Sequence, residues 1–274
     1  MFLIGELINS TRKRIRTAVE SHDAAYIQDV ARRQAEAGAQ MLDVNGGIPG
    51  REPEVLCWLV ETVQQAVDLP LCLDSSDPEA LRRALPLCKK RPMINSINDE
   101  PERFDAVLPL VKEFGAKVIA LCMGAAGPPS RLEDRLETAA RLVDRLTAAG
   151  IALDDIYVDP CVLPVSTGPD HGRFVAEAVG QISSRYPGVH TSVGLSNVSF
   201  GLPCRKLLNE VFLVLLMSRG LDAAIADPCD RQLMACIFAA EALLGRDEYC
   251  VEYLRAYREG KLEPSPESAA GAAR

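Results

Sequence analysis

Asp74, Asn95, Asp159 and Asn197 each close a short apolar run: Leu71-Cys72-Leu73-Asp74, Pro92-Met93-Ile94-Asn95, Ile156-Tyr157-Val158-Asp159 and Val193-Gly194-Leu195-Ser196-Asn197. Carboxylates accept hydrogen bonds, and carboxamides both donate and accept. If the runs are parallel strands of one barrel, their C-terminal ends share a single face, the face on which such barrels carry their chemistry. A mouth rich in Asp and Asn and poor in His and Lys suits a flat, nitrogen-rich heterocycle better than a phosphate or a metal ion. Glu6 and Asn9 follow a first run, Asp43 and Asn45 a second, and Asp227 the last, so each can reach the same mouth.

Strand-end Asp and Asn also serve as helix N-caps, and each candidate must be weighed against that role. Asp77, directly before Pro78, is the better cap of its turn and leaves Asp74 free. Ser96, Asn98 and Asp99 can supply the turn after Asn95. Pro164 and Gly168 suggest an extended loop after Asp159-Pro160. The small and polar run from Gly194 to Gly201 can bring backbone close to a ligand, but it matches neither the Walker pattern nor the dinucleotide fingerprint. His171 lies in a loop and is a weak candidate base, since loop histidines are more often plain surface, and His22 reads as solvated. The run Arg12-Lys13-Arg14-Ile15-Arg16 reads as a solvated face. Cys161 and Cys229 follow strand ends, where they can line a pocket.

What must position these groups is an alternation of strand and helix. Apolar segments recur at Phe2–Gly5, Met41–Val44, Leu71–Leu73, Met93–Asn95, Val118–Met123, Ile156–Val158, Ser192–Leu195 and Ala223–Ala226. They do not alternate apolar with polar residues, as befits strands covered on both faces. Helical patterns lie between and after them at 23–38, 52–67, 78–85, 101–114, 131–149, 172–186, 205–219 and 231–244, with Pro78 and Pro101 at first-turn positions. Eight such units predict an α/β fold, a single (β/α)8 TIM barrel over residues 1–262. A doubly wound open sheet fits less well, because no GxGxxG turn follows the first strand. Residues 248–257 predict a further short helix. The stretch 263–274, rich in Pro, Ser, Ala and Gly, is expected to be a disordered C-terminal tail.

At 274 residues the chain can bury one sizeable core. Its net charge of −8 opposes a nucleic-acid footprint. Neither a leader pattern nor a membrane-spanning run is evident, so a cytoplasmic protein is expected. The nine cysteines include no CxxC pair and no zinc-type spacing, and they read as reduced thiols, with Cys72 and Cys122 as small buried hydrophobes.

Taken in order, Ile4-Gly5-Glu6-Leu7-Ile8-Asn9, Leu42-Asp43-Val44-Asn45, Leu73-Asp74-Ser75, Met93-Ile94-Asn95-Ser96, Val158-Asp159-Pro160 and Gly194-Leu195-Ser196-Asn197-Val198-Ser199 resemble the pterin-binding methyltransferases. The resemblance runs to about Lys261. It is closest to the methyltetrahydrofolate:corrinoid protein methyltransferases, together with the folate domain of cobalamin-dependent methionine synthase, whose type Phe200-Gly201-Leu202-Pro203 resembles more. It implies a pterin-binding barrel in which Asp74, Asn95 and Asp159 hold the pyrimidine side of the ring and Asn197 lies near N5. Glu6, Asn9, Asp43, Asn45 and Ser196 would complete the substrate site. The implied reaction moves the N5-methyl group of methyltetrahydrofolate to the Co(I) centre of a corrinoid, or back to tetrahydrofolate. The corrinoid (cobalamin) would be carried by a separate corrinoid protein, because the chain has no Asp-x-His-x-x-Gly segment, and no metal would be bound by this chain. The family also implies a homodimer. Two alternatives stay open: a dihydropteroate synthase, opposed by the lack of a Lys after the seventh strand and of a Ser-x-Arg after the eighth, and a non-catalytic folate-binding subunit.

Overall fold

The structure, a computed structural model, describes residues 1–262; the expected disordered tail lies outside them. Eight parallel strands are present: β1 (Phe2–Asn9), β2 (Met41–Asn45), β3 (Leu71–Asp74), β4 (Met93–Asn98), β5 (Lys117–Leu121), β6 (Ile156–Asp159), β7 (His190–Thr191) and β8 (Ala223–Ala226). Each pairs with the next from β1 to β7, and β1 also pairs with β8. The helices are α1 (Lys13–Glu20), α2 (Ala24–Glu36), α3 (Glu52–Gln64), α4 (Pro78–Ala84), α5 (Pro101–Glu113), α6 (Leu132–Ala148), α7 (His171–Arg185), α8 (Arg205–Ser218), α9 (Arg231–Leu243) and α10 (Val251–Arg258). This is the expected (β/α)8 barrel, nearly closed.

The seam between β7 and β8 departs from expectation. The run Ser192–Leu195 does not form the seventh strand. β7 is instead the two residues His190–Thr191, and Leu195–Ser199 winds into a 3-10 turn. Backbone pairing across the seam comes down to Ile225 N–H donating to the Val193 carbonyl at 2.9 Å and a single bridge between Gly194 and Ile225. Side chains supply the rest: Asp222 accepts from the Thr191 N–H at 2.8 Å and lies 2.6 Å from His190 Nδ1, while His190 Nε2 lies 3.0 Å from Asp154. These contacts with Asp222 and Asp154 raise the His190 pKa.

A second departure is α1. The basic run reads as surface, and its Lys and Arg side chains are exposed, yet it opens a helix whose Ile15, Ala18 and Val19 are buried. That i, i+3, i+4 spacing is one helical face. β1 and β4 also extend further than their apolar segments, to Asn9 and Asn98.

The barrel interior explains how the mouth is built. Ile4, Met41, Cys72, Met93, Ile119, Tyr157, Ala223 and Ile225 form one apolar cluster, separate from the layer between strands and helices. Strand side chains alternate with period two. The next inward position above each of six of these residues is therefore Glu6, Asp43, Asp74, Asn95, Leu121 and Asp159. A polar layer sits directly on an apolar one, with Leu121 its apolar member.

Candidate functional site

A cavity of about 760 Å³ opens at the C-terminal ends of the strands. Of the predicted site residues, Glu6, Asn9, Asp43, Asp74, Asn95, Asp159, Ser196 and Asn197 line it, as does Asp227. Asn45 does not. Its amide donates to Asp74 Oδ2 at 2.9 Å and its Oδ1 accepts from the Gly47 N–H, so it orients Asp74 from the side.

The deep half is cross-bonded. Asn95 Nδ2 lies 3.3 Å from Asp43 Oδ1, and Asp74 and Asn95 are register neighbours on β3 and β4. Asp159 Oδ1 accepts from the Cys161 N–H at 2.8 Å, and the nearby Gly194 N–H, like that of Cys161, acts to lower its pKa. As expected, Asp77 caps α4, accepting from the Glu79 N–H at 2.9 Å and sparing Asp74. Arg103 of α5 binds the loops from below, donating to the carbonyls of Ser75, Ser76 and Ser96 at 2.6–2.9 Å. One guanidinium thereby joins the ends of β3 and β4.

Burial governs the electrostatics of this half. Asp43 is 2% exposed and Asp159 7%. Burial, and then the charge of Asp74, hold the Asp43 carboxyl well above the usual carboxylate range. Burial also raises Asp74 against the opposing Asn45 hydrogen bond, and it pushes Asp159 up to about 6. Two close carboxyls, one buried and one half-buried, resist being charged together. A ligand that brings several N–H donors relieves that cost by hydrogen-bonding the charged form.

The rim half is different. Asn197 is exposed on the 3-10 turn and, among the described residues, its side chain makes no hydrogen bond. Its Nδ2 folds over Gly194, where a Cβ would stand only 3.0 Å away, so the missing side chain at Gly194 makes room for the amide. The turn is strapped to α8: Arg205 donates to the Ser196 carbonyl at 2.6 Å and to Ser199 Oγ at 3.1 Å, and Ser199 Oγ donates to Asn209 Oδ1 at 2.7 Å. Ser196 Oγ donates to Glu6 at 3.1 Å, and Arg12 pairs with the other Glu6 oxygen at 2.6 Å. Burial raises Glu6 and Asp227 as well. Asn9 turns toward its own loop, accepting from the Thr11 N–H and hydroxyl.

Among the described residues the mouth holds no His and one Lys, and it also carries cations that the strand ends do not announce: Arg12, Arg205 and Lys206 all line it. Lys206 lies in the first turn of α8, well past the end of β7, and pairs with Asp230 at 3.0 Å. It therefore escapes a search for a lysine at the strand end. Phe200, 65% exposed on the rim, was also missed as a lining residue. Cys161 and Cys229 do not line the mouth. His171 does not either; it begins α7, with Nδ1 3.0 Å from the Pro164 carbonyl. His22 packs edge-on to Trp58. All nine cysteines are free thiols, with Cys72 and Cys122 buried. Among the described residues, no three His, Cys, Asp or Glu side chains are arranged to hold a metal ion.

An eight-stranded (β/α)8 barrel with an inward polar layer of Asp and Asn at its strand ends is the class of protein defined so far, and comparison shows the family. The family model described as pterin binding enzyme matches residues 5–227. The chain belongs to that family. It is 42% identical over 269 residues, 96% of this chain and 98% of the relative, to a methylcorrinoid:tetrahydrofolate methyltransferase of Eubacterium limosum. It is 34% identical over 242 residues to methionine synthase of Mycobacterium leprae, covering 82% of this chain but 20% of that longer protein. Two solved dihydropteroate synthases share the fold. That of Coxiella burnetii, in complex with pteroic acid, has TM-score 0.70 and 17% identity, over 89% of this chain and 93% of that one. That of Thermus thermophilus has TM-score 0.68 and 19% identity, over 88% and 93%.

Proposed function

We propose that the protein is a methyltransferase moving a methyl group between N5 of tetrahydrofolate and the cobalt of a corrinoid carried by a separate protein. The observation that carries this reading is the two-part mouth, with a buried to half-buried Asp/Asn layer and an exposed carboxamide above it, in a chain alike over almost its whole length to a relative named for that transfer. A cavity of this volume suits a ligand of pterin size.

Asp74, Asn95 and Asp159 take the amino and ring N–H donors and the carbonyl of the pterin, a complementary set for carboxylates plus one carboxamide. With the ring held so, N5 would lie toward the 3-10 turn that carries Asn197. A tertiary amine leaves poorly unless its nitrogen gains a proton or a strong hydrogen bond as the carbon–nitrogen bond breaks. In this reading Asn197 supplies that hydrogen bond; it does not titrate, so water supplies the proton. Its lack of any protein partner leaves the amide able to donate to N5 or accept from it. Ser196, held against Glu6, fixes the turn.

Dihydropteroate synthesis shares the barrel and needs cations for a pyrophosphate. Lys206 and Arg205 are present, but Asp230 pairs with the first and the Asn197 turn engages the second. The outer face of α8 presents Leu207, Val211 and Leu215, all exposed and spaced by four residues, which supports a homodimer across this face. No helix among the described residues is long and apolar enough to cross a membrane. We place the protein in the cytoplasm, where its free thiols would stay reduced.

The test is to mix the protein with methyltetrahydrofolate and Co(I) cobalamin and follow the visible spectrum. The expected result is methylcobalamin with stoichiometric tetrahydrofolate. Folate binding without transfer to free cobalamin or to any corrinoid protein would instead support the non-catalytic subunit.

A further inference from the structure

Arg135 of α6 is 0% exposed, and among the described residues it has no carboxylate within ion-pair distance. Its Nη1 donates to the Arg131 carbonyl at 3.0 Å and its Nη2 to the Cys161 carbonyl at 3.3 Å, while its Nε has no partner. Burying an unpaired guanidinium costs stability. The loop it touches is itself held in an uncommon conformation. Cys161 has φ of 63°, in the left-handed region, with its N–H bound to Asp159 and its carbonyl to Arg135. A non-glycine residue in that region is disfavoured and persists only where its surroundings hold it.

We propose that Arg135 is a positioning residue for Asp159: it pins the loop that orients this carboxylate toward the ligand and supplies the buried positive charge that keeps it a hydrogen-bond acceptor. The inference rests on the pterin-binding reading of the mouth. The groups around Asp159 are few. Its own loop brings the Cys161 thiol, pushed by burial up to about 12, and β5 leads to the Cys122 thiol, which burial also raises, so both are neutral. The segment after β7 brings the uncharged Gly194 N–H, and α6 brings Arg135. Arg135 is the one charged side chain acting on Asp159 among the described residues, and it opposes the upward push of burial.

The experiment uses full-length Arg135→Lys, Arg135→Gln and Arg135→Met. Carbon-13 NMR follows the Asp159 carboxyl in the ligand-free protein, assigned by its loss in Asp159→Asn, and methyltetrahydrofolate affinity is measured from pH 5 to 8. The neutral variants should move the carboxyl midpoint up by about one unit, with binding near pH 6 weakened up to about tenfold. The Lys variant should stay close to wild type in midpoint. A folded Gln or Met variant with the wild-type midpoint would overturn the proposal, as would a Lys variant shifted as far as the neutral ones. Failure of both neutral variants to fold while Lys folds normally would also overturn it, because Arg135 would then be required for stability alone. Absence of methyltetrahydrofolate binding by wild type would refute the pterin reading itself, and the ligand-free titration would still decide what Arg135 does to Asp159.

Discussion

The half of the mouth formed by β2, β3, β4 and β6 keeps its polar groups buried or half-buried and hydrogen-bonded within the protein, whereas the half formed after β7 carries Asn197 exposed and, among the described residues, without a side-chain partner. The first half is anchored from beneath by arginines of α5 and α6. The second hangs on a two-residue strand and is held from the side by α8. A preformed, desolvated half is suited to binding a ring whose hydrogen-bonding edge does not change during reaction. An adjustable carboxamide is suited to an atom whose bonding does change. The difference separates affinity from rate.

If the separation is real, breaking the buried half should cost binding alone. Asp74→Ala removes the acceptor that Asn45 orients, and methyltetrahydrofolate should bind about 100-fold more weakly, as for loss of a hydrogen bond to a charged group. Turnover at saturating folate should stay within about threefold, and a comparable loss of kcat would break the comparison.

Asp159→Asn tests the cost of building that half. The folded protein holds this carboxyl near 6, above its ordinary 3.8, so it binds the proton more tightly than the unfolded chain does. Charging it therefore lowers stability as pH rises from about 4 through 6, and the penalty is complete above that. The Asn variant should be more stable than wild type by about 3 kcal/mol at pH 7.5, with the gain fading as pH falls and gone near pH 4. Thermal melts across that range, read beside a weakened folate affinity, check both parts.

Arg103→Met should loosen the loops after β3 and β4 together and weaken folate binding about tenfold, with a lower Tm. Isothermal titration and melting would show it. The smallest effect is expected from crowding Asn197 rather than removing it. Gly194→Ala places a methyl against the Asn197 amide, whose flexible end can shift, so the transfer rate should fall about threefold with unchanged affinity. An affinity loss larger than the rate loss would join the two halves into one.

Much of the architecture was legible because strands covered on both faces leave continuous apolar runs between helical patterns. The mouth was legible for a simpler reason: Cys72 and Asp74, Met93 and Asn95, and Tyr157 and Asp159 stand two apart, so an inward apolar residue fixes an inward polar one. β7 was misread because Val193-Gly194-Leu195 has strand composition, while the Asn197 N–H to Gly194 carbonyl bond bends it into a turn. α1 was hidden by four basic residues around Ile15. Arg103, Arg135 and Arg205 lie on helices, where arginine ordinarily marks a solvated face. Only the packing of those helices under and beside the mouth turns the three side chains inward, and no local spacing records it. Asn45 was assigned to the ligand, but its position beside Asp74 in the register of β2 and β3 gives its amide a protein partner first.

The division between the two halves is tested most directly with Asn197→Ala, by measuring the folate dissociation constant and the single-turnover rate of methyl transfer to Co(I) cobalamin on the same preparation. The account predicts a rate about 100-fold lower, as for loss of a hydrogen bond that strengthens in the transition state, with the dissociation constant within about threefold of wild type. A variant that transfers at the wild-type rate once saturated, or whose loss is entirely in binding, would contradict it.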